Sequence, residues 1–156
     1  WEGLSPNDVM FLCVLIAYSH LLDNAEALYT NVTEKYGIIP KVEHHTCMVV
    51  MFGSEGRFDK AMSMIETMPS LNDPSVWLAL LSSCKKWGNV KLGRLAFDNV
   101  TRLDDNVGVA YVFMASIYAA ADMQEEAQSV ESIRVKKIKH RPKGAYNSLS
   151  TVTTLL

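Results

Sequence analysis

The chain lacks most of the features that announce a chemistry. Its three cysteines, Cys13, Cys47 and Cys84, stand far apart without CxxC spacing, and an odd number suits no closed disulfide framework. They read as reduced thiols packed in a core. No Walker loop, GxSxG or HExxH occurs, and no Ser or Thr has an evident base partner, so the commonest hydrolase chemistries lack their residues. Excess charge is missing too. The 15 Lys and Arg stand against 17 Asp and Glu, a net charge of -2, which argues against a broadly basic polyanion binder and against a disordered chain. The longest uninterrupted apolar run, Val9 to Tyr18, has ten residues, too few to cross a bilayer, so no membrane span is expected. With no initiator Met, secretory core or Arg-rich leader at its start, the sequence reads as part of a longer protein whose targeting signal would lie upstream.

What the sequence does have is a period. Phe11, His45, Trp77 and Tyr111 are spaced 34, 32 and 34 residues apart, and Ala25, Ala61, Gly93 and Ala127 are spaced 36, 32 and 34. A unit of about 34 residues recurring in this way predicts an all-α fold: a right-handed α-solenoid of about four helix-turn-helix repeats, each resting mainly on its neighbours. The clearest stretch runs from Glu43 to Gly93 and holds two helical hairpins back to back. The units divide the chain into 8–41, 42–74, 75–107 and 108–144, with the end of a preceding element at 1–7 and a tail at 145–156.

Local signals mark the helices. Asp8 is an N-cap candidate ahead of Phe11, Leu15 and Tyr18, which share a face. Asp23 and Glu26 are spaced as a capping box for the second helix, whose inner face carries Ala25, Tyr29 and Val32. Gly37-Ile38-Ile39-Pro40 ends that unit. In the next, His45, Val49 and Phe52 face inward, Gly53-Ser54-Glu55-Gly56 is expected as the turn, and Ala61, Ile65 and Met68 follow before Pro69. Asp73 caps a helix with Pro74 at its first position, Trp77, Leu81 and Cys84 face inward, and Trp87-Gly88-Asn89 turns the chain towards Gly93, Phe97 and Val100. The last unit opens near Asn106-Val107-Gly108, offers Tyr111, Ala115 and Tyr118, and restarts at an expected capping box from Asp122 to Glu125. There Glu131 and Arg134 replace apolar residues, leaving Val130 and Ile133 to pack, as a solenoid cap requires. The recurring small residue at Ala25, Ala61, Gly93 and Ala127 would let paired helices approach closely.

Six of the fifteen cations, Arg134, Lys136, Lys137, Lys139, Arg141 and Lys143, crowd the C-terminal end. They form either a phosphate-facing patch or a solvated helix end whose charge suits the helix C-terminus. Glu43-His44-His45 could suggest metal ligation with His20 or His140, but adjacent helical residues point apart and His45 holds an inner-face position, so it reads as a packing histidine. No catalytic residue, metal site or cofactor is expected. The eight Met residues read as repeat core.

The sequence resembles the C-terminal region of plant PLS-class pentatricopeptide repeat (PPR) proteins: the last L-type and S-type repeats, here 8–41 and 42–74, followed by two TPR-like E motifs at 75–107 and 108–144. The segments that carry the resemblance are GLSPNDVMF, YGIIPKVEHHTCMV, FGSEGRFDKA, the MP ahead of SVWLALLSSCKKWGNVKLG, and YVFMASIYAAADMQEEA. The family's pattern is departed from at His45-Thr46, at Gly53-Ser54-Glu55 and at KGAYNSLS. The resemblance implies a non-catalytic RNA-binding adaptor in the mitochondrion or chloroplast. Such an adaptor specifies sites of cytidine-to-uridine editing and recruits a deaminase in trans or an accessory protein of the multiple organellar RNA-editing factor type. It further implies that Thr46 and Asp73 form a base-reading pair of purine type, G preferred, on single-stranded RNA. Leu12 and Lys41 are the weaker pair of the preceding repeat, since Leu cannot hydrogen-bond a base edge. The deaminase's own H-x-E and P-C-x-x-C ligand set is absent from the sequence.

A rival expectation is a TPR-like protein-interaction scaffold that never touches RNA. Charge discriminates the two: RNA binding calls for Lys and Arg along the groove formed by the first helices, and the sequence puts few there. A stack whose first packing face is open would also allow a homodimer through that face.

Overall fold

The computed structural model describes residues 22–140, without the side chains of residues 22–25 and of Tyr36. The expected first helix with Leu12 and Cys13, the N-terminal dimer face, Arg141, Lys143 and the tail all lie outside the described residues. Within them the fold is all-helical, with α1 (Leu22–Tyr36), α2 (Val42–Ser54), α3 (Phe58–Glu66), α4 (Pro74–Trp87), α5 (Val90–Leu103), α6 (Gly108–Ala120) and α7 (Gln124–Lys139). Helix α2 packs on α3, α4 on α5, and α6 on α7. The first helices α2, α4 and α6 stand side by side, and α5 also touches α6. Contacts of this nearest-neighbour kind make an α-solenoid.

The period has a physical cause. His45, Trp77 and Tyr111 are all buried, and so are Ala61, Gly93 and Ala127 on the paired second helices. Around them Met48, Phe52, Leu80, Leu81, Met114 and Ile117 are almost fully shielded, each contributing about 1.5–3 kcal/mol by leaving water. Burial also explains the thiols. Low polarity around Cys84 pushes it up to about 12 and around half-buried Cys47 to about 11, so both are poor nucleophiles.

The helix ends follow from local chemistry. Asp73 Oδ1 accepts from the Ser75 amide at 2.8 Å with Pro74 at the first helical position, which starts α4. Gly88 ends it in the left-handed region (φ 64°), and Asn89 Oδ1 then accepts from the Leu92 amide at 3.1 Å to start α5. Four expectations fail. Helix α1 already includes Leu22, so Asp23 lies inside the helix instead of capping it. Gly53 and Ser54 belong to α2, and the turn comes after them, where Gly56 takes φ 71°. Asp122 does not cap α7; it adopts φ 59°, which Asp tolerates better than most residues, and Met123 precedes the helix. Ile133 does not pack, being 44% exposed.

Gly53 stays helical because α4 crosses α2 there. A Cβ at Gly53 would lie 2.1 Å from Ser83 Oγ and 2.5 Å from Ser83 Cβ, so only glycine fits. At Gly93 an added Cβ would meet Ile117 Cδ1 at 2.9 Å and Cys84 Cβ at 3.5 Å, which makes it a close-approach point for α4, α5 and α6 together. Phe97 meets Tyr111 edge-on at 5.1 Å between ring centroids, whereas one unit later Glu131 is held by Arg134 through bonds of 2.8 and 2.5 Å.

Replacing Gly53 by Ala should cost about 1–3 kcal/mol through overpacking, read as a lower urea midpoint. Ser83→Ala in the same chain should not rescue it, because the clashing Cβ remains; Ser83→Gly should recover part of the loss.

Candidate nucleic-acid interface

The candidate interface follows the first helices α2, α4 and α6. Thr46, Leu78 and Val112 are the fifth residues of α2, α4 and α6, and Lys41, Asp73 and Val107 stand at the N-caps of the same helices. The pair that the resemblance implies, Thr46 with Asp73, is therefore the fifth residue of one first helix with the N-cap residue of the next. For Thr46 and Asp73 both members are polar. One unit on, the equivalent residues are Leu78 and Val107, both buried and apolar, and Val112 after them is 40% exposed.

Thr46 is half-buried, and its Oγ1 donates to the Val42 carbonyl at 2.8 Å, which fixes the hydroxyl while leaving its oxygen lone pairs as acceptors. Asp73 takes two local bonds on the same oxygen: Oδ1 accepts from the Ser75 amide at 2.8 Å and from Ser75 Oγ at 2.5 Å. Its carboxylate is thereby fixed at the N-terminus of α4. Lys41 donates its backbone N–H to His44 Nδ1 at 3.0 Å, which closes the start of α2.

His45 is buried. The Tyr29 ring meets it at 5.9 Å, and Tyr29 OH, whose pKa burial pushes up to about 12, stands 3.4 Å from His45 Nδ1. Burial, and then the neighbouring His44, pull the His45 pKa below its ordinary 6.5. The ring is a packing group held neutral, and among the described residues no cluster of His, Cys, Asp and Glu could hold a metal ion.

The basic segment is partly spent on intramolecular pairs. Arg134 forks onto Glu131, lowering that carboxyl, and Lys137 reaches Asp105, which raises the Lys137 pKa. Lys136 and Lys139 are exposed, and the Lys136 carbonyl lies 2.7 Å from His140 Nδ1. These cations sit on α7, on a second helix, away from the first helix that carries Thr46.

Sequence reasoning missed the residues at the junction between the second and third units. Trp87 Nε1 donates to the Gly53 carbonyl at 2.9 Å and Lys86 Nζ to the Ser54 carbonyl at 2.6 Å, while Lys85 Nζ lies 5.0 Å from the centroid of the Phe113 ring. The signal was a spacing: Gly53–Trp87 and Ser54–Lys86 are one repeat apart, at 34 and 32 residues. No helix among the described residues is long and apolar enough to cross a membrane.

No family model matches the chain. Relatives in Arabidopsis thaliana do. It is 37% identical over 142 residues to the chloroplastic pentatricopeptide repeat-containing protein CRR2, covering 90% of this chain and 21% of that protein. A mitochondrial pentatricopeptide repeat-containing protein is 35% identical over 142 residues, 87% of this chain and 22% of its own length. Another protein of that description is 32% identical over 145 residues, 92% of this chain and 20% of its own length. The chain thus spans about a fifth of the length of these curated relatives, and their names state no enzyme activity.

Two outcomes test this geometry. Asp73→Ala should destabilise the chain by about 1 kcal/mol through loss of the cap, and Asp73→Asn, which keeps an acceptor, by much less; urea titration separates them. His45 is neutral when folded with a lowered pKa, so the unfolded chain binds the extra proton. Its contribution to stability is present above about pH 6.5 and lost as pH falls through the lower folded value. The urea midpoint should drop between pH 7.5 and pH 5, and His45→Phe should flatten that dependence.

Proposed function

Because the chain belongs to the plant pentatricopeptide repeat family, we propose that it is the C-terminal, non-catalytic part of an organellar RNA-binding protein that specifies sites of cytidine-to-uridine editing. The supporting observation is the polar pair of Thr46 on α2 and Asp73 at the N-cap of α4. A hydroxyl and a carboxylate on adjacent first helices present acceptors to the edge of an unstacked base, and a purine such as G, with its ring N–H and amino donors, suits them. Asp73 uses Oδ1 for both cap bonds, and Oδ2 remains for a base.

The third and fourth units take the second part of the role. Leu78, Val107 and Val112 have no hydrogen-bonding side-chain groups, the first two are buried, and the exposed Val112 favours an apolar protein contact over base readout. In this reading the E-motif half, with the exposed cations Lys136 and Lys139, recruits or orients a deaminase in trans or an accessory editing factor. The same exposed Val112 favours the second reading, a TPR-like scaffold with no RNA contact. Relatives named chloroplastic and mitochondrial support an organellar location.

Fluorescence anisotropy against short single-stranded RNAs at two salt concentrations decides between the readings. The RNA reading expects G-preferring binding whose preference is lost in Thr46→Ala. Neutralising the cations from Arg134 to Lys143 should weaken binding uniformly and flatten its salt dependence. Absence of binding in both salts leaves the scaffold.

A further inference from the structure

We propose that Trp87 is a base-stacking site for single-stranded RNA at the end of α4, next to the unit that carries Thr46; the inference rests on the reading that this chain engages RNA. Trp87 is 52% exposed, whereas Trp77 is 5% exposed. A large aromatic left half in water usually moves. This one is fixed, because its Nε1–H is bonded to the Gly53 carbonyl at 2.9 Å and its ring lies against Gly56, where an added Cβ would come within 3.2 Å of Cε2 and Cζ2. The two glycines of α2 and its turn thus create a seat for the indole and leave much of its surface free.

The surroundings suit a nucleotide. Lys86 Nζ lies over the Trp87 ring, 5.5 Å from its centroid, and donates to the Ser54 carbonyl at 2.6 Å, whereas Lys85 is turned to the Phe113 ring. A half-exposed indole of fixed orientation with one ammonium at its ring offers stacking to a base that displaces the ammonium towards the phosphate, with little ordering cost for the indole on binding. Position completes the argument. Thr46, Val50 and Gly53-Ser54 follow one another along one face of α2 at helical spacing, so the Trp87 seat lies about 12 Å from Thr46 along that helix at 1.5 Å per residue. A strand that leaves the Thr46 and Asp73 pair towards the C-terminal end of α2 brings a flanking base within reach. Stacking does not discriminate bases, so Trp87 adds affinity and leaves the choice of base to the reading pair.

The test uses the 156-residue chain, short single-stranded RNAs that vary the base on either side of the preferred one, and the variants Trp87→Leu, Trp87→Phe and Thr46→Ala. Trp87→Leu should weaken binding by about fivefold to a hundredfold, whatever base flanks the preferred one, while base preference persists. Trp87→Phe keeps a ring but loses the N–H bond; it should lower the thermal midpoint yet retain affinity within about threefold of the unaltered chain. That split separates stacking from a purely structural latch, for which affinity would follow stability. Unchanged affinity in Trp87→Leu, with Thr46→Ala still erasing base preference, overturns the stacking site and leaves the RNA reading standing. Absence of RNA binding by the unaltered chain overturns both.

Discussion

The crossing of α4 over the end of α2 is the constraint on which the rest of the stack depends. Gly53 removes the side chain that would hold the helices apart, and Ser83 fills the space so made. The close approach brings Lys86 and Trp87 over the last turn of α2, onto the Ser54 and Gly53 carbonyls, the latter also accepting from the Gly56 N–H at 3.1 Å. Both donate to those carbonyls, and the ammonium also meets the negative end of the helix dipole. The end of the first helix of one unit is therefore tied down by the next unit, which is why a single repeat of this type would be a poor folding unit. Helix α4 sits at the centre of the arrangement, buried without interruption from Val76 to Leu81 between α2, α5 and α6.

Other ties repeat the same register on other parts of the surface. Lys60 reaches back 34 residues to Glu26, with oxygens at 2.8 and 2.6 Å, and Lys137 reaches back 32 residues to Asp105. Exposed ion pairs of this sort contribute only about 0–1 kcal/mol each. Their importance is geometric: each links equivalent places in successive units, so they fix the step between repeats while apolar burial supplies the stability. Arg94 does the same across a shorter span by donating to Tyr118 OH at 2.9 Å.

The fold was legible because its period is written in large residues. His45, Trp77 and Tyr111 mark buried positions that no other pattern would repeat at this spacing, and Asp73-Pro74 and Gly88-Asn89 carry their capping chemistry in the sequence itself. The failures share a cause. Gly53 looks like a turn residue until the neighbouring helix is known, and Asp122 looks like a cap until its backbone conformation is known. Met114 and Ile117 were not singled out because α6 carries no charged residue, so periodicity cannot tell its inner face from its outer one. Thr46 and Asp73 came from family resemblance, and the backbone adds that the pair spans two first helices. Trp87 could not be read from its own neighbourhood, since its role depends on a carbonyl and a glycine one repeat earlier.

The indole bond at that junction also has a mechanical meaning. A solenoid flexes by changing the angle between successive repeats, and such bending concentrates where the separation of first helices can alter. Between the second and third units that separation is set on one side by Gly53 against Ser83 and limited on the other by the Trp87 hydrogen bond, so the joint resists both compression and opening. The second and third units should accordingly move as one stiff segment, with any change of curvature taken up at the joints beyond it.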